Sequence, residues 1–145
     1  MEWFADNPVM RLFGIAYLIL VLKMVALGSY TSFLRIRHKV YATPEDYRFL
    51  RLSPAAQTRE DIERARRAHR NDLENILPFF GVGLLYAFTG PSATAAAVYY
   101  LGFAAARVAH SILYVGERQP HRTIAYGIGL TLMLAMTFST LVSLF

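Results

Sequence analysis

Four polar residues, Arg67, Arg70, Asn71 and Glu74, stand at i, i+3, i+4 and i+7 within RRAHRNDLENILPFFG, a stretch that runs from Arg66 straight into apolar sequence. At about 3.6 residues per turn this spacing puts them on one stripe of a helix, with His69 and Asp72 pointing elsewhere. Pro78 continues the stripe and, lacking an N–H, leaves the Glu74 carbonyl without its helical partner. A second stripe follows in an Ala-rich segment, where Arg107, His110 and Tyr114 stand at i, i+3 and i+7. A third segment opens on Arg122 and Thr123 and adds Tyr126 one turn later. Ionisable groups among apolar sequence are costly unless partnered or hydrated, which makes each a candidate for function. Glu74, Asn71 and His110 neutralise Arg67, Arg70 and Arg107 only in part. The cluster keeps a positive excess, and the chemistry it suits is the binding of an anion.

The elements that must position these side chains are helices in a membrane. The 145 residues are 55% hydrophobic with a mean hydropathy of +0.33, too apolar for a water-soluble domain. A spanning helix needs roughly 20 mainly apolar residues. Leu12 to Leu34, Asn75 to Thr89, Ser92 to Gly116 and Thr123 to Phe145 meet or approach that length. The second run is short alone, so its helix extends backward through the charged stretch. The expected architecture is all-α: one domain over residues 1–145, a bundle of four transmembrane helices spanning about 10–36, 62–89, 92–116 and 122–144, with a loop over about 37–61. The first run is too long for a signal-peptide core, carries Lys23 at its middle and lacks an Ala-x-Ala-like cleavage site.

Charge sets the orientation. Arg35, Arg37, Lys39 and seven further arginines crowd residues 35–70, so the loop is expected on the cytoplasmic side. The connection GERQPHR, with Arg118 and Arg122, falls on the same side. The termini, with Glu2 and Asp6, and the turn TGPSA fall opposite. Trp3 and Phe4 suit a membrane interface. Within the loop, Thr43 can cap a short helix from Pro44 to Leu50, with Pro44 at its first position and Asp46 closing a capping box. Thr58 is expected to cap the second long helix.

Simpler roles are open to several of these residues. Arg66 and Arg118 read as snorkelling topology signals, Asp46 as a helix cap, and Tyr99 and Tyr100 as packing. Lys23 and Asp72 read as a structural ion pair between the first two long helices. With no cysteine there is neither a disulfide nor a thiolate metal site, and any thiol chemistry must use a thiol brought by a ligand. No metal-ligand spacing, phosphate-binding glycine loop or Ser-His-Asp order is present, and neither a metal nor a nucleic-acid partner is expected.

RAHRNDLENILPF (67–79), RVAHSILY (107–114), RIRHKVYATPED (35–46) and LKMVAL (22–27) closely resemble the MAPEG family, the membrane-associated proteins in eicosanoid and glutathione metabolism. The likeness covers most of the chain and is strongest to the microsomal glutathione transferase and microsomal prostaglandin E synthase branch. It implies four-helix protomers assembled as a homotrimer, with glutathione held between adjacent protomers near the cytoplasmic end. Carried over residue by residue, it implies that Arg35, Arg67, Arg70, Asn71, Glu74, Arg107, His110, Tyr114 and Tyr126 contact glutathione. Arg122 matches the arginine that stabilises the thiolate, Asp46 an aspartate proposed to move a proton, and Thr123 takes the place of a synthase serine.

The implied activity is that of a membrane enzyme that activates the glutathione thiolate for conjugation to, or reduction of, lipophilic electrophiles and peroxides. An alternative is a prostaglandin E synthase-like endoperoxide isomerase, and an alternative of another class is a non-enzymatic lipid-binding membrane protein. Glutathione fits the residues, since an arginine excess suits its two carboxylates and Glu74 its ammonium. A nearby arginine also lowers a thiol pKa, favouring the thiolate that attacks. The implied membrane is a bacterial inner membrane or the endoplasmic reticulum, and the Ala-rich, Lys-poor helices favour the former.

Overall fold

A computed structural model describes residues 6–145; the interface role expected of Trp3 and Phe4, and the placing of Glu2, fall outside them. The helices in chain order are α1 (Pro8–His38), α2 (Pro44–Phe49), α3 (Glu60–Phe88), α4 (Ala93–Val115) and α5 (His121–Val142). Each lies within two residues of the bounds expected from sequence. Among the described residues α1, α4 and α5 are long and apolar enough to cross a membrane. Helix α3 is as long, at 29 residues, but its first half is charged.

Local chemistry sets the ends. Asn7 accepts backbone hydrogen bonds from Val9 at 3.0 Å and Met10 at 3.2 Å, and Pro8 takes the first position of α1. That helix stops at Lys39 in a left-handed conformation (φ 55°), after a last turn whose Arg35, Arg37 and His38 complement the negative end of its dipole. Two capping expectations need correction. Thr43 stands at the N-cap of α2, but its side chain makes no capping bond. Thr58 does not cap α3, whose N-cap is Arg59. Glu60, Asp61 and Glu63 in the first turn meet the helix dipole instead. Arg59 Nη2 donates to Asp61 Oδ2 at 3.1 Å, which holds the Asp61 carboxyl below its usual range.

Helices α3 and α4 form the central pair, with α1 packed against both from one side and α5 against both from the other. Among the described residues α1 and α5 do not meet. The core is aromatic: Phe79 stacks on Phe103 with centroids 4.1 Å apart, and Tyr100 packs edge-on to Phe79. Tyr100 donates its hydroxyl proton to the Gly83 carbonyl at 2.8 Å. Gly83 is required there, because a Cβ would lie 2.8 Å from the Phe13 ring. Outward faces stay apolar, with Leu22 on α1, Ile112 on α4 and Phe138 on α5 all exposed. Such surfaces are stable against hydrocarbon rather than water.

Candidate functional site: an arginine-rich cluster divided by helix α3

The charged centre of the bundle is a three-helix junction. Asp72 is fully buried and accepts from Lys23 Nζ of α1, from Arg107 Nη2 of α4 at 2.8 Å and from Ser111 Oγ at 3.3 Å. The Lys23–Asp72 pair expected from sequence is present, and Arg107 shares its carboxylate. Ser111 was missed, although it stands four residues after Arg107 on the same helix face. Arg107 Nη2 also donates to Asn71 Oδ1 at 2.6 Å and to the Asn71 carbonyl at 3.3 Å. The stem of Arg107 runs past Gly129 on α5, 3.5 Å from where a Cβ on that residue would stand.

Towards α5 the cluster continues through aromatic rings. His110 is buried, with its ring centroid 5.5 Å from Tyr114 and 5.9 Å from Tyr126. The Arg122 guanidinium lies 4.4 Å over the Tyr114 ring, a cation–π contact. Tyr114 is also within reach of Arg67 on α3. Arg67 donates through Nη2 to Glu60 Oε1 at 2.5 Å. One face therefore gathers Arg67, Asn71, Arg107, His110, Tyr114, Arg122 and Tyr126, with Thr123 exposed beside it and bonded to Gln119.

The other candidates lie elsewhere. Arg35 and Arg70 line an open cavity of about 350 Å3 between α1 and α3, together with Arg66, His69 and Ser32. Glu74 is exposed on α3 and has no ion pair among the described residues. The sequence stripe is a single helical face, but Arg67, Arg70 and Glu74 point outward from the protomer rather than into it. The reason is that the α3 face meeting both α1 and α4 carries Asp72, Ile76 and Phe79, one carboxylate among apolar groups. Asp46 sits half-buried in α2 and makes no side-chain hydrogen bond or ion pair among the described residues. Helix α2 does not pack on any of the four long helices, so Asp46 is not brought to Arg122 by the fold of one chain.

Apolar helices long enough to span a bilayer define an integral membrane protein, and it carries an arginine-rich cluster at one end of the bundle. The chain belongs to the MAPEG family, whose model matches residues 13–142. It is 40% identical to rat microsomal glutathione S-transferase 1, the match covering 94% of this chain and 91% of the relative. It is 37% identical to the human protein of the same name, with 95% and 92% covered. To human prostaglandin E synthase it is 37% identical, over 83% of this chain and 80% of that one.

Proposed function

We propose that this protein is a membrane-bound glutathione-dependent enzyme, with glutathione as co-substrate and a lipophilic electrophile or peroxide as the second substrate. The names of its relatives, glutathione S-transferase and prostaglandin E synthase, support the class. The observation that carries the ligand assignment is the state of Arg70 and Glu74. They stand one turn apart on the exposed face of α3, a spacing that permits an ion pair, yet neither is paired among the described residues. A cation and an anion presented side by side suit a zwitterion with a carboxylate and an ammonium, and Arg35 across the cavity supplies a further cation.

The division of the site suits an assembly. Arg35 and Arg70 lie on the α1 side of α3, whereas Asn71, Arg107, His110, Tyr114, Arg122 and Tyr126 lie on the α4 and α5 side. A neighbouring protomer that docked its α1 side against the α4 and α5 side of the first would join the two halves. We infer a homotrimer of four-span protomers in one domain, with glutathione between protomers at the cytoplasmic face. The basic end of α1 and the arginines of α3 support that orientation by the positive-inside rule.

In the chemistry this implies, the carboxylates of glutathione are held by Arg35, Arg67 and Arg70 and its ammonium by Glu74. Arg122, fixed over Tyr114, stabilises the thiolate. The sulfur then attacks an electrophilic carbon and expels its leaving group as an anion, or attacks one oxygen of a peroxide and breaks the O–O bond. In the second case the other oxygen leaves as an alcohol after taking a proton, and the sulfenic acid formed is condensed by a second glutathione to the disulfide and water. The lipophilic substrate reaches the site through the bilayer. The exposed apolar helix faces provide that route. Arg70→Ala and Glu74→Ala test the reading by calorimetry in detergent. Each should weaken glutathione binding about tenfold or more, the cost of one charge-assisted contact, with melting temperature within about 2 °C of the parent because both side chains are exposed. Unchanged affinity in both would refute the site. Parallel assays with a chlorinated nitrobenzene, a hydroperoxide and an endoperoxide separate transferase, peroxidase and isomerase.

A further inference from the structure

The connection between α4 and α5 carries a side chain that neither the sequence pattern nor the family likeness singled out. Gln119 is exposed, three residues before Arg122 and four before Thr123. Its amide satisfies both neighbours in one orientation: the oxygen accepts from Arg122 Nη2 at 2.6 Å and Nε at 3.2 Å, while the nitrogen donates to Thr123 Oγ1 at 3.0 Å. The opposite orientation keeps the contact with Thr123, whose hydroxyl then donates to the Gln119 oxygen, but it faces an NH2 donor towards the guanidinium donors and leaves those unmatched. The loop that carries Gln119 is itself tied down. Glu117 adopts a left-handed conformation (φ 61°) and bridges to Arg64 of α3 at 3.1 Å, and Arg64 also pairs with Glu60.

Among the described residues Arg122 is otherwise held through the ring of Tyr114 beneath it. A ring fixes the distance of a guanidinium from its face but leaves the planar group free to turn about the ring normal. An acceptor on the Nε and Nη2 edge removes that freedom, and it leaves the Nη1 edge as the one turned to a ligand. We propose that Gln119 is a positioning residue for Arg122: it clamps the Nε and Nη2 edge so that Nη1 is presented to the bound sulfur. The inference rests on the assignment of Arg122 to the thiolate, and it deepens that assignment by naming what aims the guanidinium and which nitrogen is presented.

The test uses the full-length protein in detergent with glutathione and a chlorinated nitrobenzene, comparing Gln119→Leu, Gln119→Glu and Arg122→Leu. Thiolate formation is followed by its ultraviolet absorbance as pH is raised. Gln119→Leu should shift the bound-thiol titration upward and cut kcat about tenfold, a fraction of the roughly hundredfold lost with a direct electrostatic stabiliser. Its KM for glutathione should stay within about twofold, because the carboxylates are held elsewhere. Gln119→Glu keeps the acceptor but sets a negative charge against the guanidinium. Its titration should move up as well, and activity should recover at alkaline pH to near the parent value, as loss of aim does not. A surface residue of purely structural importance would move melting temperature and leave the titration alone. If Arg122→Leu shifts the titration and both Gln119 variants leave it unmoved, the positioning role is overturned. If Arg122→Leu leaves it unmoved while glutathione still binds, the inference also fails, but the glutathione site stands. Failure of the unaltered protein to bind glutathione at all would instead refute the proposed function.

Discussion

Replacing Asp72 by Asn would leave two cations, Lys23 and Arg107, facing a neutral amide inside the bundle. In the native chain the carboxylate is fully buried, Arg107 is 1% exposed and Lys23 10%, so water cannot take over the lost charge. Removing one partner from a buried pair commonly costs about 3 to 5 kcal/mol. For a chain of this size each kcal/mol moves the melting temperature by roughly 3 °C, so a fall of about 10 to 15 °C is expected. Lys23→Met provides the contrast. It leaves Asp72 bonded to Arg107 and Ser111, so no buried charge is stranded. The expected cost is about 1 to 2 kcal/mol, one charge-assisted hydrogen bond less the desolvation of the ammonium. Thermal unfolding in one detergent, followed by circular dichroism, ranks the two. A loss below about 3 °C for Asp72→Asn, or a larger loss for Lys23→Met, would refute the view that one carboxylate holds both cations.

Three further outcomes follow from particular contacts. Gly83→Ala places a Cβ 2.8 Å from the Phe13 ring; overpacking of this kind should destabilise by about 1 to 3 kcal/mol in the same melt, and a neutral result would mean the ring moves freely. Glu60 accepts from both Arg64 and Arg67 at the surface, so Glu60→Gln should release Arg67 and raise glutathione affinity about two- to fivefold by calorimetry, the inverse of a modest exposed ion pair. Weaker binding would show that Glu60 holds Arg67 in its useful place. Asp46→Ala should spare transferase turnover, because among the described residues of one chain Asp46 makes no side-chain bond and its helix packs on none of the long helices; an equal loss of endoperoxide isomerisation and conjugation would contradict that.

Much of this arrangement is legible in the sequence where a single helix decides the outcome. The stripe of Arg67, Arg70, Asn71 and Glu74 needs only the helical period, and the Lys23–Asp72 pair needs only the cost of an unpartnered lysine deep in an apolar run. The period does not say which side of a helix faces the core. That depends on which neighbours pack, and the α3 face carrying Asp72, Ile76 and Phe79 turned inward, leaving the arginine stripe outside. Caps failed for a related reason. Thr43 and Thr58 have suitable side chains, but acids in the first turns of α2 and α3 already meet the dipole, so the hydroxyl bond is dispensable. Gln119 could not be read at all, because its partners are defined by the loop that aims it.

The carboxylates of the chain sort its arginines into two kinds. Arg48 is matched by Glu45, Arg59 by Asp61, Arg64 by Glu60 and Glu117, Arg66 by Glu63, Arg67 by Glu60 and Arg107 by Asp72. Among the described residues seven arginines meet no carboxylate, Arg11, Arg35, Arg37, Arg51, Arg70, Arg118 and Arg122, and three of them, Arg35, Arg70 and Arg122, are site candidates. If these were only topology signals, nothing would require them to stand beside other site candidates. Yet Arg35 and Arg70 share one cavity, and Arg122 lies on a tyrosine ring with His110 behind it. The three unmatched site candidates are thus distributed over both halves of the divided site, and the one exposed carboxylate on the same α3 stripe, Glu74, is also unmatched among the described residues. Three cations and one anion are the complement of a ligand with two carboxylates, an ionising thiol and an ammonium. Charge matching at these candidate residues therefore favours glutathione over a simple fatty-acid carboxylate, which would leave two of the three arginines and Glu74 without partners.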